Sequence, residues 1–145
     1  MLNNKSLLIT GGTGSFGNSF INYALTRYPK IKRLVIYSRD ENKQFEMQKI
    51  FSPEKYKCLR YFIGDIRDTE RLKTALRKID IVIHAAAMKH VPVSEYNPSE
   101  AIKTNIIGAE NIIKGSFSNN IEKLVFLSTD KACSPINLYG ATKLC

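Results

Sequence analysis

A doubly wound parallel α/β domain is the architecture this sequence predicts, and three observations predict it. Short, nearly continuous apolar runs recur along the chain, which is how strands buried on both faces read. Segments with helical spacing stand between them, and the first run opens directly into a glycine-rich turn. Alternation of this kind implies right-handed crossovers and a parallel sheet covered by helices on both sides.

The first strand is expected at Ser6–Thr10 (SLLIT), followed by TGGTGSFG over Thr10–Gly17. Gly11 permits a tight turn, Gly14 lets backbone approach a pyrophosphate, and Gly17 lets the next helix pack closely on the sheet. Thr13, Ser15 and Phe16 complete this turn, where a helix N-terminus offers free N–H groups and the positive end of its dipole. The helix carries Phe16, Phe20, Tyr23, Ala24 and Arg27 at helical spacing. A strand before and a helix after make this glycine pattern a dinucleotide site rather than a hairpin.

The second strand is expected at Arg33–Ser38, leading into YSRDENK over Tyr37–Lys43. Sites that bind a free ribose 2'-hydroxyl place an acidic residue at this strand end. Here Ser38 stands in that place, with Arg39 next and Lys43 one helical turn on, a set suited to a 2'-phosphate, so NADP is expected over NAD. Asp40 has two readings, a helix cap or a ribose ligand. The segment FSPEKYK, Phe51–Lys57, is an irregular loop with no readable function.

A third strand is expected at Leu59–Gly64, with Asp65 and Ile66 after it placed to meet an adenine edge and face. A helix with Leu72, Ala75, Leu76 and Ile79 follows an acidic opening at Asp68 and Glu70. The fourth strand, Asp80–Ala85, runs into HAAAMKH, where Ala85, Ala86 and Ala87 form a wall of small side chains beside a flat cofactor. His84 reads as a core histidine, whereas Lys89 and His90 lie beyond the strand's carboxyl end, where ligands of open α/β sheets bind. The longest helix should start near Pro98, a residue favoured in a first turn, and reach Ser116; the fifth strand is expected at Lys123–Ser128.

Tyr139 and Lys143 stand one helical turn apart, so both can point from one helix face. A nearby ammonium favours phenolate, which suits Tyr139 to act as a base towards a sugar hydroxyl.

Composition bounds the alternatives. With 145 residues and 43% apolar content the chain can bury one core, as a single domain. Its start, MLNNKSLLITGG, reads as neither signal peptide nor membrane span, and a cytoplasmic location is expected. Cys58, Cys133 and Cys145 form no metal-binding pattern, so reduced thiols and no metal are expected. The net charge of +9 is spread without a basic block or interleaved aromatics, which argues for solvated helix faces and against nucleic acid.

Glycine turn, strand-five position and YxxxK together resemble the extended short-chain dehydrogenase/reductase superfamily over the whole chain. The closer resemblance is to inverting UDP-N-acetylglucosamine 4,6-dehydratases, through TGGTGSFG, YSRDENKQ, GDIRD, HAAAMKHVP with EYNP, KTN at Lys103–Asn105, and STDKA with PINLYGATK. Relatives acting on glucose nucleotides read Thr-Asp-Glu where this chain has Thr129, Asp130 and Lys131. Large membrane-anchored relatives and the dehydratase-epimerases carry methionine where it has Tyr139. The stretch ACS at Ala132–Ser134 is a minor departure from the family pattern.

That resemblance implies a Rossmann-like NAD(P)-binding fold and a redox-neutral dehydration of UDP-N-acetylglucosamine with tightly held NADP. In it Tyr139 removes the O4 proton, Thr129 hydrogen-bonds O4, Lys131 takes the C5 proton, and Asp130 protonates the departing C6 hydroxyl. Lys143 acts beside Tyr139, Asn105 supports the helix and a proton relay, and Lys89 contacts substrate or cofactor. The product is a 4-keto-6-deoxy amino sugar with inverted C5, used for surface glycans such as pseudaminic acid. A nucleotide-sugar epimerase and a non-catalytic NADP-binding fragment are the rival readings. Family members continue well past Lys143 and assemble as homo-oligomers when full length. Residues 1–145 are therefore expected to form an incomplete dinucleotide domain without the substrate-binding portion, with exposed apolar surface, weak NADP binding and no turnover alone.

Overall fold

The computed structural model describes residues 1–145. Five strands, β1 (Ser6–Thr10), β2 (Arg33–Ser38), β3 (Leu59–Ile63), β4 (Ile81–His84) and β5 (Lys123–Phe126), form one sheet in the order β3-β2-β1-β4-β5. All neighbours are parallel, with Leu7 of β1 opposite Leu34 on one side and Ile81 on the other. The helices are α1 (Ser15–Arg27), α2 (Glu41–Ile50), α3 (Thr69–Ala75), α4 (Val91–Tyr96), α5 (Pro98–Ile102), α6 (Gly108–Ser118) and α7 (Leu138–Leu144).

Strand alternation sends side chains to two cores. Leu7, Ile9, Leu34, Ile36, Leu59, Ile81 and Ile83 pack with Ile21 and Ala24 of α1 and Met47 of α2. Leu8, Val35, Tyr37 and Val82 face the other way, onto Leu72 and Ala75 of α3 and Ile112 of α6. Each buried Leu or Ile contributes about 1.5–3 kcal/mol, and a one-residue slip would exchange the two sets, so register is firmly specified. The two cores make the sheet doubly wound, as the apolar runs predict.

β1 and β2 occupy the residues expected of them, whereas β4 loses one residue at each end and β5 stops at Phe126. The residues beyond the β4 terminus leave the ladder to line a crevice. The long helix expected from Pro98 is α5, a π turn (Lys103–Ile107) and α6 in unbroken succession. An i→i+5 turn carries no composition signal, so a plain helix is what periodicity offers. Helix α4 was not anticipated; Pro92 sits in its first turn. Asp40 and Asp68 cap α2 and α3, accepting from the N–H groups of Lys43 (2.9 Å) and Arg71 (3.0 Å). Asp40 is thus a cap through Oδ1, a contact that contributes about 1 kcal/mol.

β5 forms an open edge on which Val125 and Phe126 are exposed, and Phe117 of α6 is exposed nearby in sequence. No helix is long and apolar enough to cross a membrane, and no three His, Cys, Asp or Glu side chains converge. All three cysteines are free.

Candidate functional site

Strand order reverses between β1 and β4, and open α/β sheets place their ligand crevice at such a switch, beyond the carboxyl ends of the strands. A cleft of about 520 Å³ opens there. Its walls come from the β1–α1 turn (Gly11, Thr13, Gly14, Ser15, Phe16), the β2 end (Ser38, Arg39, Lys43), Ile66 after β3, Ala85, Ala86 and Lys89 after β4, and Tyr139 and Lys143 of α7. With Asp40, Ala87 and His90, which also line it, the cleft brings together seventeen residues singled out from sequence.

The turn is built for close approach. Gly11 has φ +64°, and a Cβ there would sit 2.9 Å from the backbone of Ala86. Gly17 does not line the cleft; a Cβ at Gly17 would collide with the carbonyl oxygen of Gly12, so its role is to seat α1 under the turn. α1 has neither a side-chain cap nor an acidic residue in its first turn, leaving its terminal N–H groups and dipole for an anion. This donor set fits a dinucleotide pyrophosphate.

At the second strand end Ser38 is buried, while Arg39 and Lys43 are exposed and loosely tethered. Arg39 lies 3.6 Å from the Asp65 carboxylate, and Lys43 lies 3.7 Å from that of Asp40. Asp65, expected at an adenine edge, is outside the cleft lining, and its carboxylate is occupied by Arg67 through Nε (3.0 Å) and Nη2 (2.7 Å). Burial raises the Asp65 carboxyl, but the bonds and charge of Arg67 outweigh it and hold it below the usual range. Arg67 in turn pairs with Glu100 of α5.

A buried clamp holds the alanine wall. The Thr10 hydroxyl accepts from the N–H groups of Ala85 (3.1 Å) and Ala86 (3.2 Å) and lies 2.8 Å from His84 Nδ1. With both lone pairs engaged, the hydroxyl must donate to Nδ1, which fixes His84 as the neutral tautomer protonated at Nε2. Burial, and secondarily the charge of Lys143, push the His84 pKa down to about 4. Behind the wall, Asn105 in the π turn accepts from Met88 N (2.8 Å) and donates to Met88 O (2.9 Å) and to Thr142 Oγ1 (2.9 Å). One side chain thereby ties the β4 loop to α7, so Asn105 is a strut rather than a cleft residue.

The Asn137 side chain caps α7 at Gly140 N (2.8 Å), and Glu95 of α4 accepts from Leu138 N (2.7 Å). Lys143 Nζ donates to Leu127 O at 2.5 Å, and burial lowers its pKa. Thr129, Asp130 and Lys131 do not line the cleft; they stand on the turn Asp130–Ala132. Thr129 Oγ1 donates to Asp130 Oδ1 (2.9 Å), and Lys131 Nζ lies 3.7 Å from the same oxygen. The Thr129 bond first, then the Lys131 charge, hold Asp130 below the usual carboxylate range.

Among the cleft residues that the sequence reading did not single out, two carry unpaired polar groups. The hydroxyls of Ser94 on α4 and Thr104 in the π turn are buried without a partner. Neither element was anticipated as it formed, so nothing marked their direction.

Residues 7–145 match a family described as polysaccharide biosynthesis protein. Over 144 residues the chain is 62% identical to the UDP-N-acetylglucosamine 4,6-dehydratase (inverting) of Campylobacter jejuni, covering 99% of this chain and 42% of that protein. It is 46% identical over 149 residues to the UDP-glucose 4-epimerase of Rickettsia massiliae, with the same two coverages. The chain therefore spans about two-fifths of the length of these relatives. Among solved structures, Pen from Bacillus thuringiensis superposes with a TM-score of 0.93 at 45% identity, over 99% of this chain and 43% of that one. The dTDP-glucose 4,6-dehydratase DesIV from Streptomyces venezuelae, with NAD and TYD bound, gives 0.83 at 25% identity, over 96% and 48%.

Proposed function

The chain belongs to the polysaccharide biosynthesis protein family, and from that premise we propose that residues 1–145 are the NADP-binding portion of a cytoplasmic, inverting UDP-N-acetylglucosamine 4,6-dehydratase that works as a homo-oligomer without nucleic-acid or membrane partners. The observation that carries the reading is that the glycine turn and the Tyr139–Lys143 pair line one cleft at the β1/β4 switch. The 62% identity to the Campylobacter enzyme supports the reaction. Ser38, Arg39 and Lys43, which line the cleft at the second strand end, support NADP over NAD.

When bound, NADP supplies hydride acceptance at sugar C4 and hydride return at C6. Tyr139 takes the O4 proton, with Lys143 one turn along α7 and anchored on Leu127 O. Thr129 hydrogen-bonds O4. The C4 ketone acidifies the C5 proton, which Lys131 takes as the neutral amine that a lysine base must be, while Asp130 protonates the departing C6 hydroxyl. A proton returning to C5 on the opposite face inverts that centre. In the free chain Asp130 is held in its ionised form, so its role as an acid requires the sugar to displace water and raise its pKa. The substrate must reach from the cleft to the turn that carries Thr129, Asp130 and Lys131; Lys89 contacts it on the way.

The test is a chimera joining residues 1–145 to the remaining part of the Campylobacter jejuni relative, incubated with UDP-N-acetylglucosamine and followed by NMR. Loss of the C6 hydroxyl with a C4 ketone is the expected result. A C4 epimer with C6 intact would reject dehydration in favour of epimerisation.

A further inference from the structure

Gln44 of α2 plays no part in the reading above, yet it lies directly beneath the second-strand end. Its Nε2 lies within hydrogen-bonding distance of three acceptors: Ser38 Oγ (3.0 Å), Ser38 O (3.2 Å) and Phe62 O (3.2 Å). This set fixes the amide orientation, because a flipped amide would turn its oxygen onto two carbonyls. Gln44 is 2% exposed, so water does not compete for these bonds. One side chain therefore joins the carboxyl ends of β2 and β3 and holds the Ser38 hydroxyl.

We propose that Gln44 is a positioning residue that sets Ser38 as a hydrogen-bond donor towards the ribose 2'-position, making the chain discriminate a 2'-phosphate from a free 2'-hydroxyl. The proposal rests on the NADP reading. Because Ser38 Oγ accepts from Gln44, its own proton is free for another partner, and Ser38 lines the cleft. Phosphate oxygens are acceptors, so a fixed donor complements them; a ribose hydroxyl can turn to donate or accept and gains less from the arrangement. Arg39 and Lys43 supply charge, but both are exposed and tethered at 3.6 and 3.7 Å, so neither fixes a direction. Ser38 is the geometrically fixed member of the trio, and Gln44 is what fixes it.

Equilibrium binding of NADPH and NADH to the 145-residue chain, read by cofactor fluorescence, tests this in wild type and Gln44→Met, with circular dichroism confirming the fold. Wild type should prefer NADPH, and Gln44→Met should weaken NADPH about tenfold and NADH less than about twofold, as expected for misdirecting one bond to a charged group. A wild type without preference rejects the NADP reading itself. A preference that Gln44→Met retains rejects the role of Gln44 and leaves the cofactor reading standing. A second readout needs no variant: in ¹⁵N-labelled wild type the Gln44 side-chain amide signals should move with NADP⁺ and stay in place with NAD⁺. Equal movement with both, or none with NADP⁺, overturns the proposal.

Discussion

Acidification should loosen this fold through His84. The folded-state pKa is pushed down to about 4, burial being the larger cause and Lys143 the smaller. An unfolded histidine titrates near 6.5, so between those values the unfolded chain binds the extra proton. A depressed histidine therefore contributes stability that is complete above about pH 6.5 and falls as pH drops towards 4. Worked through, the loss is about 2 kcal/mol between pH 7 and pH 5, and about 3 kcal/mol by pH 4. The local geometry agrees, because a proton on Nδ1 would face a Thr10 oxygen that already accepts two N–H bonds. Asp65, Glu100 and Asp130 are held below their ordinary values, so their contributions fade only below about pH 4.5 and leave the higher window to His84. Urea unfolding followed by circular dichroism at pH 7, 6 and 5 should show midpoints falling in wild type and holding nearly level in His84→Gln. Equal midpoints at pH 7 and pH 5 in wild type, or an equal fall in the variant, would refute the reasoning.

Removing the Lys143 charge should shrink that acid loss without abolishing it, since burial dominates; Lys143→Met in the same urea series checks this. Gly17→Ala forces a methyl onto the Gly12 carbonyl, which has no flexible end to yield. It should cost about 1–3 kcal/mol in thermal unfolding and weaken NADPH binding in fluorescence titration. Asn105→Ala deletes three bonds to Met88 and Thr142 and should cost about 3 kcal/mol, lowering Tm by roughly 10 °C. An unchanged melting curve would remove Asn105 as the strut between the wall and α7.

Those struts mark the boundary of what sequence reading reaches. The runs SLLIT and RLVIYS declare their strands because burial on both faces demands continuous apolar residues, and TGGTGSFG declares its turn because few side chains survive such close approach. Tyr139 and Lys143, chemistry-bearing residues in recognisable spacing, line one cleft. Gln44 closes the motif YSRDENKQ, yet its role was not legible there: a glutamine within the polar-rich ENKQFEMQKI reads as solvated surface, and only the sheet ends above it supply its acceptors. The π turn was equally silent, since an extra residue in a helix alters hydrogen bonding without altering composition. Asp65 looked like a ligand because its place after β3 is visible in sequence, whereas its engagement by Arg67 depends on side-chain geometry.

The close approach of Gly11 to Ala86 predicts an order of events in folding. β1 and β2 join residues close in sequence, so they can pair early, whereas Leu7 meets Ile81 only after a long loop closes. The glycine turn belongs to the early half, but the wall it leans on belongs to the late one. The phosphate cradle is therefore among the last features the chain acquires, and cofactor capture during refolding would time the docking of β4 rather than the first collapse.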